Sequence, residues 1–181
     1  MATIKQTKDA FELLYRCMRE SWFSKTLDFP RWNEKLILPN IRFFLLGYFG
    51  DDLEPEFKTE LLTANSGNGY IDFVVGNTAI EFAVRLPGES ASKLNSYSNR
   101  TERVKLIRRK KQHNWLSNGA LVLFDFSDTP LTNDQLEEYR EKPSLNGSGN
   151  HNIDGFSVLY FHFSLDTEDT DSCCIRKNID F

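Results

Sequence analysis

Residues 70–85 read YIDFVVGNTAIEFAVR, and this stretch decides the fold. Two runs rich in β-branched and aromatic residues flank Gly76-Asn77, a pair typical of a two-residue hairpin turn. Such a turn sets the register of its strands, because residues at equal distance from it face each other. Asp72 is therefore predicted to lie directly opposite Glu81, with Cβ atoms about 5 Å apart.

Both faces of this predicted hairpin are largely apolar, which favours a central place in the sheet. The face with the two acids carries Tyr70, Val74, Ala79 and Ala83. The opposite face carries Ile71, Phe73, Val75, Ile80, Phe82 and Val84. Two facing carboxylates in partly dry surroundings repel each other and take up a proton, and a divalent cation with oxygen ligands relieves that repulsion. The alternative is that both acids are solvated or paired with a basic side chain, for which Arg85 is a candidate.

The rest of the chain predicts further helices and strands around this hairpin. Apolar periodicity and turn residues predict helices at 8–23, 31–49, 101–115 and 132–141, and strands at 57–63, 120–126 and 156–164. Asn33 is expected to cap the second helix, and residues 51–55 are expected to form a polar connector. Antiparallel strands followed by helix-linked strands predict an α/β (α+β) fold with a mixed sheet flanked by helices.

The segment from Asn33 to Arg85, with its helix, meander and paired acids, resembles the PD-(D/E)XK nuclease core. The resemblance covers residues 31–126. It implies a restriction-endonuclease-like fold in which Glu34 matches the acid of the preceding helix, Asp72 the motif aspartate and Glu81 the acid of the acid-x-lysine motif. It also implies a deoxyribonuclease in which Mg²⁺ or Mn²⁺, held by Asp72 and Glu81, polarises the scissile phosphate and activates a water molecule.

The chain departs from that family at Ala83, which stands where the motif places its lysine. Some members of the superfamily take the lysine from another position. Lys58, Lys105, Lys110 and Lys111 are the candidate donors here, and the sequence does not choose among them. Arg85 points the same way as Ala83 and is expected to stabilise negative charge in the transition state, although arginine cannot act as a base.

Positive charge is concentrated in residues 100–111, RTERVKLIRRKK, which hold seven basic side chains and one acid. The chain as a whole has a net charge of −4, so this run stands out from an acidic background. Concentrated positive charge attracts phosphate, and DNA is therefore the expected partner. The residues expected to bind it are Arg100, Arg103, Lys105, Arg108, Arg109, Lys110 and Lys111. The alternative is a solvated helix face.

Length and composition predict a single domain over residues 1–181. Its expected parts are an N-terminal helical extension (1–30), the nuclease-like core (31–126), an added helix and strand (127–164) and an acidic tail (165–181). No apolar stretch suggests a membrane span or a signal peptide. Three cysteines make no disulfide framework, so a reduced, cytoplasmic protein is expected.

Three functions remain open from the sequence. The first is a divalent-metal-dependent DNA endonuclease with a relocated basic residue. The second is a catalytically inactive PD-(D/E)XK-fold module that binds nucleic acid or a protein partner. The third is a protein-interaction domain, such as an inhibitor, that displays its acidic tail. A homodimer would suit duplex cleavage, but no feature of the sequence encodes one.

Overall fold

The computed structural model describes residues 2–19, 33–59, 69–91, 105–107, 109–110, 113–137, 155–163 and 176–179. Its helices are α1 (Ile4–Arg19), α2 (Glu34–Phe49) and α3 (Asn133–Glu137), with a 3₁₀ turn at Gly50–Asp52. Its strands are β1 (Leu53–Thr59), β2 (Gly69–Val75), β3 (Thr78–Arg85), β4 (Asn118–Asp125), β5 (Ser157–His162) and β6 (Arg176–Ile179). Residues 105–107 and 109–110 are also helical and are called the basic helical segment.

The six strands form one mixed sheet in the order β1-β2-β3-β4-β5-β6. The meander β1-β2-β3 is antiparallel, β3, β4 and β5 run parallel, and β6 returns antiparallel to β5. A parallel pair needs a crossover connection, which is usually helical, and the basic helical segment and α3 lie in the two crossovers. The predicted α+β class with a mixed, helix-flanked sheet is confirmed.

Two apolar cores lie on the two faces of the sheet. On the first face, α1 and α2 contribute residues such as Phe11 and Ile41, which pack in one cluster with Phe82 and Phe124. On the second face, the basic helical segment contributes Leu106 and Ile107 to a separate cluster with Ala83 and Leu123. The alternation of β3 and β4 between these clusters explains why both strands read as nearly continuous apolar runs.

Several predicted boundaries are confirmed and others are wrong. Strand β3 and the Asn33 cap are confirmed, the cap by a hydrogen bond from the Leu36 N–H to Asn33 Oδ1 of 3.2 Å. The first strand begins at Leu53, where a polar connector was expected. Pro55 and two acids weaken its strand signal, but β1 is an edge strand, where proline is tolerated. The 156–164 strand is not the last one, because residues 176–179 of the expected acidic tail form β6.

The helices differ from their predictions mainly at their ends. Helix α1 begins at Ile4, four residues before the expected start at residue 8, and residues 20–23 of the prediction lie outside the described part of the chain. His113 and Trp115 lie outside any helix, although the third helix was expected to continue to residue 115. Residues 101–104, 108, 111–112 and 138–141 of the predicted helices lie outside the described part of the chain. Within the described residues, no helix is both long and apolar enough to cross a membrane.

Gly76 begins the β2-β3 turn with a φ of +55°. A Cβ atom at this position would meet the main chain of Ala2, whose nitrogen would lie 2.9 Å away. We expect Gly76→Ala to destabilise the fold by about 1–3 kcal/mol from backbone strain and by more through this collision, which urea unfolding will measure.

The matched control is Gly88→Ala. Gly88 has a φ of +77°, but no atom lies within 4 Å of its hypothetical Cβ, so the substitution carries strain without collision. Equal destabilisation by the two variants would contradict the role assigned to the Ala2 contact.

Candidate carboxylate and lysine site

The turn at Gly76-Asn77 sets the predicted register between β2 and β3. Val75 pairs with Thr78, Val74 with Ala79 and Phe73 with Ile80, and this series puts Asp72 next to Glu81. The described pairing stops at Phe73, however. Beyond it the Phe82 N–H donates to Asp72 Oδ2 at 2.8 Å, where a regular ladder would offer the Ile71 carbonyl. The Asp72 carboxyl is thus held at the point where the two strands separate.

In strands β1 and β2, the alternation of side chains between the two faces of the sheet shifts by one residue at this same point. Pro55 pairs with Phe73 and Phe57 with Ile71, but Glu56 and Asp72 between them are not paired. Glu56 has a φ of +53°, which non-glycine residues rarely adopt. Phe73 packs in the core of the first face, whereas Ile71 packs in the core of the second.

This shift corrects the predicted alternation of side chains in β2. Ile71 was expected opposite the acids, on the face of Phe73. An irregular residue in each strand shifts the alternation by one position, so Ile71 lies on the face that carries Ala83 and the basic helical segment.

Glu81 is fully buried at the centre of β3 and contacts a lysine. Lys105 Nζ lies 2.6 Å from Glu81 Oε2 and also donates to the Tyr70 carbonyl at 2.6 Å. The side chain of Lys105 is itself only 9% exposed. Because an unpaired charge is very unfavourable in such a place, this ion pair is what permits Glu81 to be buried.

Burial raises the pKa of Asp72 above its ordinary value of 3.8. The Lys105 ammonium, the Phe82 N–H and a hydrogen bond with the Glu81 carboxyl lower that pKa, and the charge of Glu56 raises it further. A hydrogen bond between two carboxyls requires a proton on one of them. Asp72, Glu81 and Lys105 therefore form one electrostatic cluster, which we call the carboxylate–lysine cluster.

Arg85, which was predicted to be catalytic, belongs to a different network at the carboxyl end of β3. Arg85 Nη1 lies 3.0 Å from Asp125 Oδ2 and 2.9 Å from the Thr129 carbonyl, and its Nε donates to the Glu89 carbonyl. The Tyr160 hydroxyl donates to the same Asp125 oxygen at 2.6 Å. Burial, with this bond, raises the pKa of Tyr160. The guanidinium of Arg85 is thus engaged in joining β3, β4 and β5.

Glu34, the predicted helix acid, is the first residue of α2. The buried side chains of that helix, Ile37, Ile41 and Leu45, belong to the core of the first face. Lys105 approaches Glu81 from the second face, beside Leu106 and Ile107. Glu34 and Lys105 therefore belong to elements on opposite sides of the sheet.

The predicted nucleic-acid-binding run is corrected at two positions. Lys105 is buried against Glu81, and Arg109 is only 2% exposed. Arg109 donates to the carbonyls of Leu106, Leu116 and Ser117 at 2.8–3.0 Å. Lys110 is exposed, as a surface role requires. Arg100, Arg103, Arg108 and Lys111 lie outside the described residues.

The donor set for a metal consists of Asp72 and Glu81. Mg²⁺ keeps several water ligands and is often held by one or two carboxylates, and the raised pKa of Asp72 marks an acid whose negative charge a cation would stabilise. Within the described ranges, no group of three or more His, Cys, Asp or Glu residues is arranged to hold a metal ion. Asp72 and Glu81 are thus the two protein ligands that this cluster could give to a cation.

Comparison with known proteins adds no relative. No protein-family model matches the sequence, and no match was found among the curated proteins or the solved structures.

Replacing Asp72 by asparagine is expected to stabilise the protein at neutral pH. A carboxyl whose pKa is raised by folding destabilises the native state once pH exceeds its ordinary value of 3.8, and increasingly so through its raised pKa. Asparagine carries no charge and keeps an oxygen that can accept from the Phe82 N–H. The stability difference between Asp72→Asn and wild type should therefore be smallest below pH 3.8 and grow towards neutral pH.

Urea unfolding across this pH range measures that difference. Asp51→Asn, at an exposed acid, serves as the control and should change stability little at any pH. A gain at Asp72 that does not vary with pH would argue against the electrostatic origin.

Lys105→Met should destabilise the fold by about 3–5 kcal/mol, because it leaves Glu81 buried without its partner. The double variant Lys105→Met/Glu81→Gln should recover most of that loss, since neither charge remains. Urea unfolding of both variants and of Lys110→Met, at an exposed lysine of the same segment, measures the effect. A double variant as unstable as Lys105→Met would show that packing, rather than charge, dominates.

Proposed function

We propose that the protein is a divergent PD-(D/E)XK phosphodiesterase that cleaves DNA with a divalent metal ion, and that Lys105 takes the place of the motif lysine. The observation that carries this proposal is the 2.6 Å contact between Lys105 Nζ and Glu81 Oε2. The meander, a helical crossover and the parallel strand β4 also follow one another in the order that the family resemblance implies. A reduced, cytoplasmic setting is part of the proposal.

In this function Asp72 and Glu81 would hold Mg²⁺ or Mn²⁺. The metal would supply a positive charge that polarises the scissile phosphate and lowers the pKa of a water ligand. Lys105 would orient the attacking water and offset negative charge in the transition state. The Phe82 N–H would keep the Asp72 carboxyl in position.

Lys105 meets the requirements that Ala83 does not. The side chain of Ala83 lies on the same face of β3 as Glu81 but offers no charged group. Lys105 comes from the segment packed over that face, and its ammonium lies 2.6 Å from Glu81 Oε2. Among the candidate donors that the structure describes, Lys105 has a contact with a carboxylate of the pair.

A second function is favoured by a separate observation. Glu81 is 0% exposed, so in this arrangement a metal would have to enter a closed site. The same contact with Lys105 could serve only to neutralise Glu81, and the protein would then be an inactive PD-(D/E)XK-fold module that binds nucleic acid or a protein partner.

Metal-dependent cleavage of plasmid and short linear DNA distinguishes the two functions. We expect cleavage with Mg²⁺ or Mn²⁺ that is lost in Asp72→Asn and reduced by about 10²–10³-fold in Lys105→Gln. Lys110→Gln should leave the rate close to wild type. These variants need a folded protein, so circular dichroism and thermal unfolding accompany each assay.

If the folded protein binds DNA but leaves it intact with either metal, the result would favour the inactive module. Metal-induced thermal stabilisation supplies a readout besides activity. Mn²⁺ should raise the melting temperature of wild type but not of Asp72→Asn, since binding to the native state alone stabilises it. A similar rise in the melting temperature of both proteins would show that Asp72 does not bind the metal.

A further inference from the structure

Helix α2 is apolar on its outward side as well as on its buried side. Between residues 36 and 49 its sequence contains one charged residue, Arg42. Three buried side chains, Ile37, Ile41 and Leu45, hold the helix on the first face of the sheet. A surface helix of a globular protein usually carries charged and polar residues on the side away from the core. The composition of α2 therefore indicates a second apolar contact.

The outward side of α2 is exposed to solvent. At about 3.6 residues per turn, six exposed residues fall on one side of the helix. They are Leu36, Pro39, Asn40, Phe43, Leu46 and Gly47, and we call this set the α2 outer face. Leu36 is 53% exposed, Leu46 40% and Phe43 74%. A contiguous apolar patch of this kind is typical of an interaction surface.

Within α2, charged side chains border the outer face but do not belong to it. Arg42 Nη2 lies 2.5 Å from Glu56 Oε1, so the charge of Arg42 is directed towards β1 of the same chain. Exposed Lys35 lies at the amino-terminal end of the face, and exposed Asp51 follows its carboxyl-terminal end. An apolar centre with a charged rim is the usual composition of a protein interface.

The charges at the two ends of the α2 outer face favour a second copy of the chain as its partner. Phe43 lies midway between Lys35 and Asp51 in the sequence. A two-fold axis at Phe43 pairs two α2 helices antiparallel and brings the basic end of each face alongside the acidic end of the other. A two-fold interface makes each such contact twice, and opposite charges at the rim favour the correct orientation.

The residues on either side of Phe43 also suit this antiparallel arrangement. It places Gly47 opposite Asn40 of the second copy, and Leu46 opposite Pro39. A Cβ at Gly47 would meet no atom of its own chain within 4 Å, so this position leaves space for a facing side chain. Asn40 Nδ2 already donates to the Leu36 carbonyl at 2.9 Å, which reduces the cost of covering the one polar side chain of the face.

The area of the α2 outer face suits a weak dimer. A phenylalanine side chain can bury roughly 200 Å², and Phe43 is 74% exposed. The six residues together present on the order of 500 Å² per copy, so two copies would bury on the order of 1,000 Å², near the lower limit for a specific interface. An interface of that size is typical of a reversible, concentration-dependent dimer.

We propose that two copies of the chain associate through their α2 outer faces, packed antiparallel about Phe43. Helix α2 covers the first face of the sheet, whereas Lys105 contacts Glu81 from the second face. The association therefore leaves the carboxylate–lysine cluster outside the interface, and it does not depend on the proposed nuclease activity.

Sedimentation velocity of the full chain at roughly 5–500 μM tests the proposal, since an interface of this size dissociates at such concentrations. We expect a reversible equilibrium between monomer and dimer. Phe43→Ser should weaken the dimer by at least about tenfold, because it removes the central apolar contact. Trp115→Ser is the matched control. Trp115 is 45% exposed and packs on Phe57 beside the core of the second face, so this variant should stay within about twofold of wild type.

Gly47→Leu separates an effect on the interface from damage to the fold. Leucine favours a helix more than glycine does, and its Cβ would meet no atom of its own chain within 4 Å. The variant should therefore melt at a higher temperature than wild type. The same side chain would fill the space opposite Asn40 of the second copy and should weaken the dimer by about tenfold or more. A variant that is more stable but dimerises as well as wild type would contradict the antiparallel arrangement.

Reversing the charges at the rim tests the orientation of the two helices. Lys35→Glu and Asp51→Lys should each weaken the dimer by roughly two- to fivefold, and the double variant should recover the wild-type affinity. A double variant weaker than both single variants would overturn the antiparallel arrangement.

A wild-type protein that is monomeric at every concentration would overturn the proposal, and so would a dimer that persists unchanged in Phe43→Ser. Vesicles of phosphatidylcholine and phosphatidylserine test a different occupant of the same face. A monomer that binds these vesicles, and loses that binding in Phe43→Ser, would assign the α2 outer face to a lipid surface instead of a second copy.

Discussion

The ion pair between Lys105 and Glu81 is the interaction on which the second face of the protein depends. It places a carboxylate in the middle of a strand whose residues are all buried, and it ties the basic helical segment to β3 and, through the Tyr70 carbonyl, to β2. Burying a pair of charges is no source of stability in itself, because the loss of hydration offsets their attraction. The pair instead fixes where the basic helical segment packs on the sheet, since each buried charge is tolerated only where the other contacts it.

The irregularity at Glu56 and Asp72 is the second feature that shapes the candidate site. Two strands that kept their alternation would direct Ile71 to the first face and give the Phe82 N–H a main-chain acceptor. Instead the alternation of side chains shifts by one residue, and the Asp72 carboxyl accepts from the Phe82 N–H. Glu56 lies 2.5 Å from Arg42 of α2. Irregular strand positions are frequent beside functional sites, where they direct a side chain away from the regular pattern.

Some basic residues of the chain are buried and support the fold, whereas others are exposed, and their spacing in the sequence does not distinguish the two groups. Arg85 and Arg109 are buried, and their guanidinium groups donate to Asp125 and to main-chain carbonyls. Such planar groups with several donors suit this work better than an ammonium does. Lysine, with a single charge at the end of a flexible stem, lies at the carboxylate pair, where Lys105 contacts Glu81.

The sequence alone determined the hairpin, its register and the mixed sheet, because a two-residue turn and the alternation of apolar residues are local signals. It also singled out Asp72 and Glu81 as facing acids, together with four possible lysine donors. It did not reveal β6 or the true start of β1, since edge strands need little apolar sequence. Only the tertiary structure placed Lys105 against Glu81, paired Arg85 with Asp125 and moved Ile71 to the second face of the sheet. Those outcomes depend on which helix packs over which face of the sheet. Contacts between residues far apart in the chain produce no periodic pattern in the sequence from which they could be predicted.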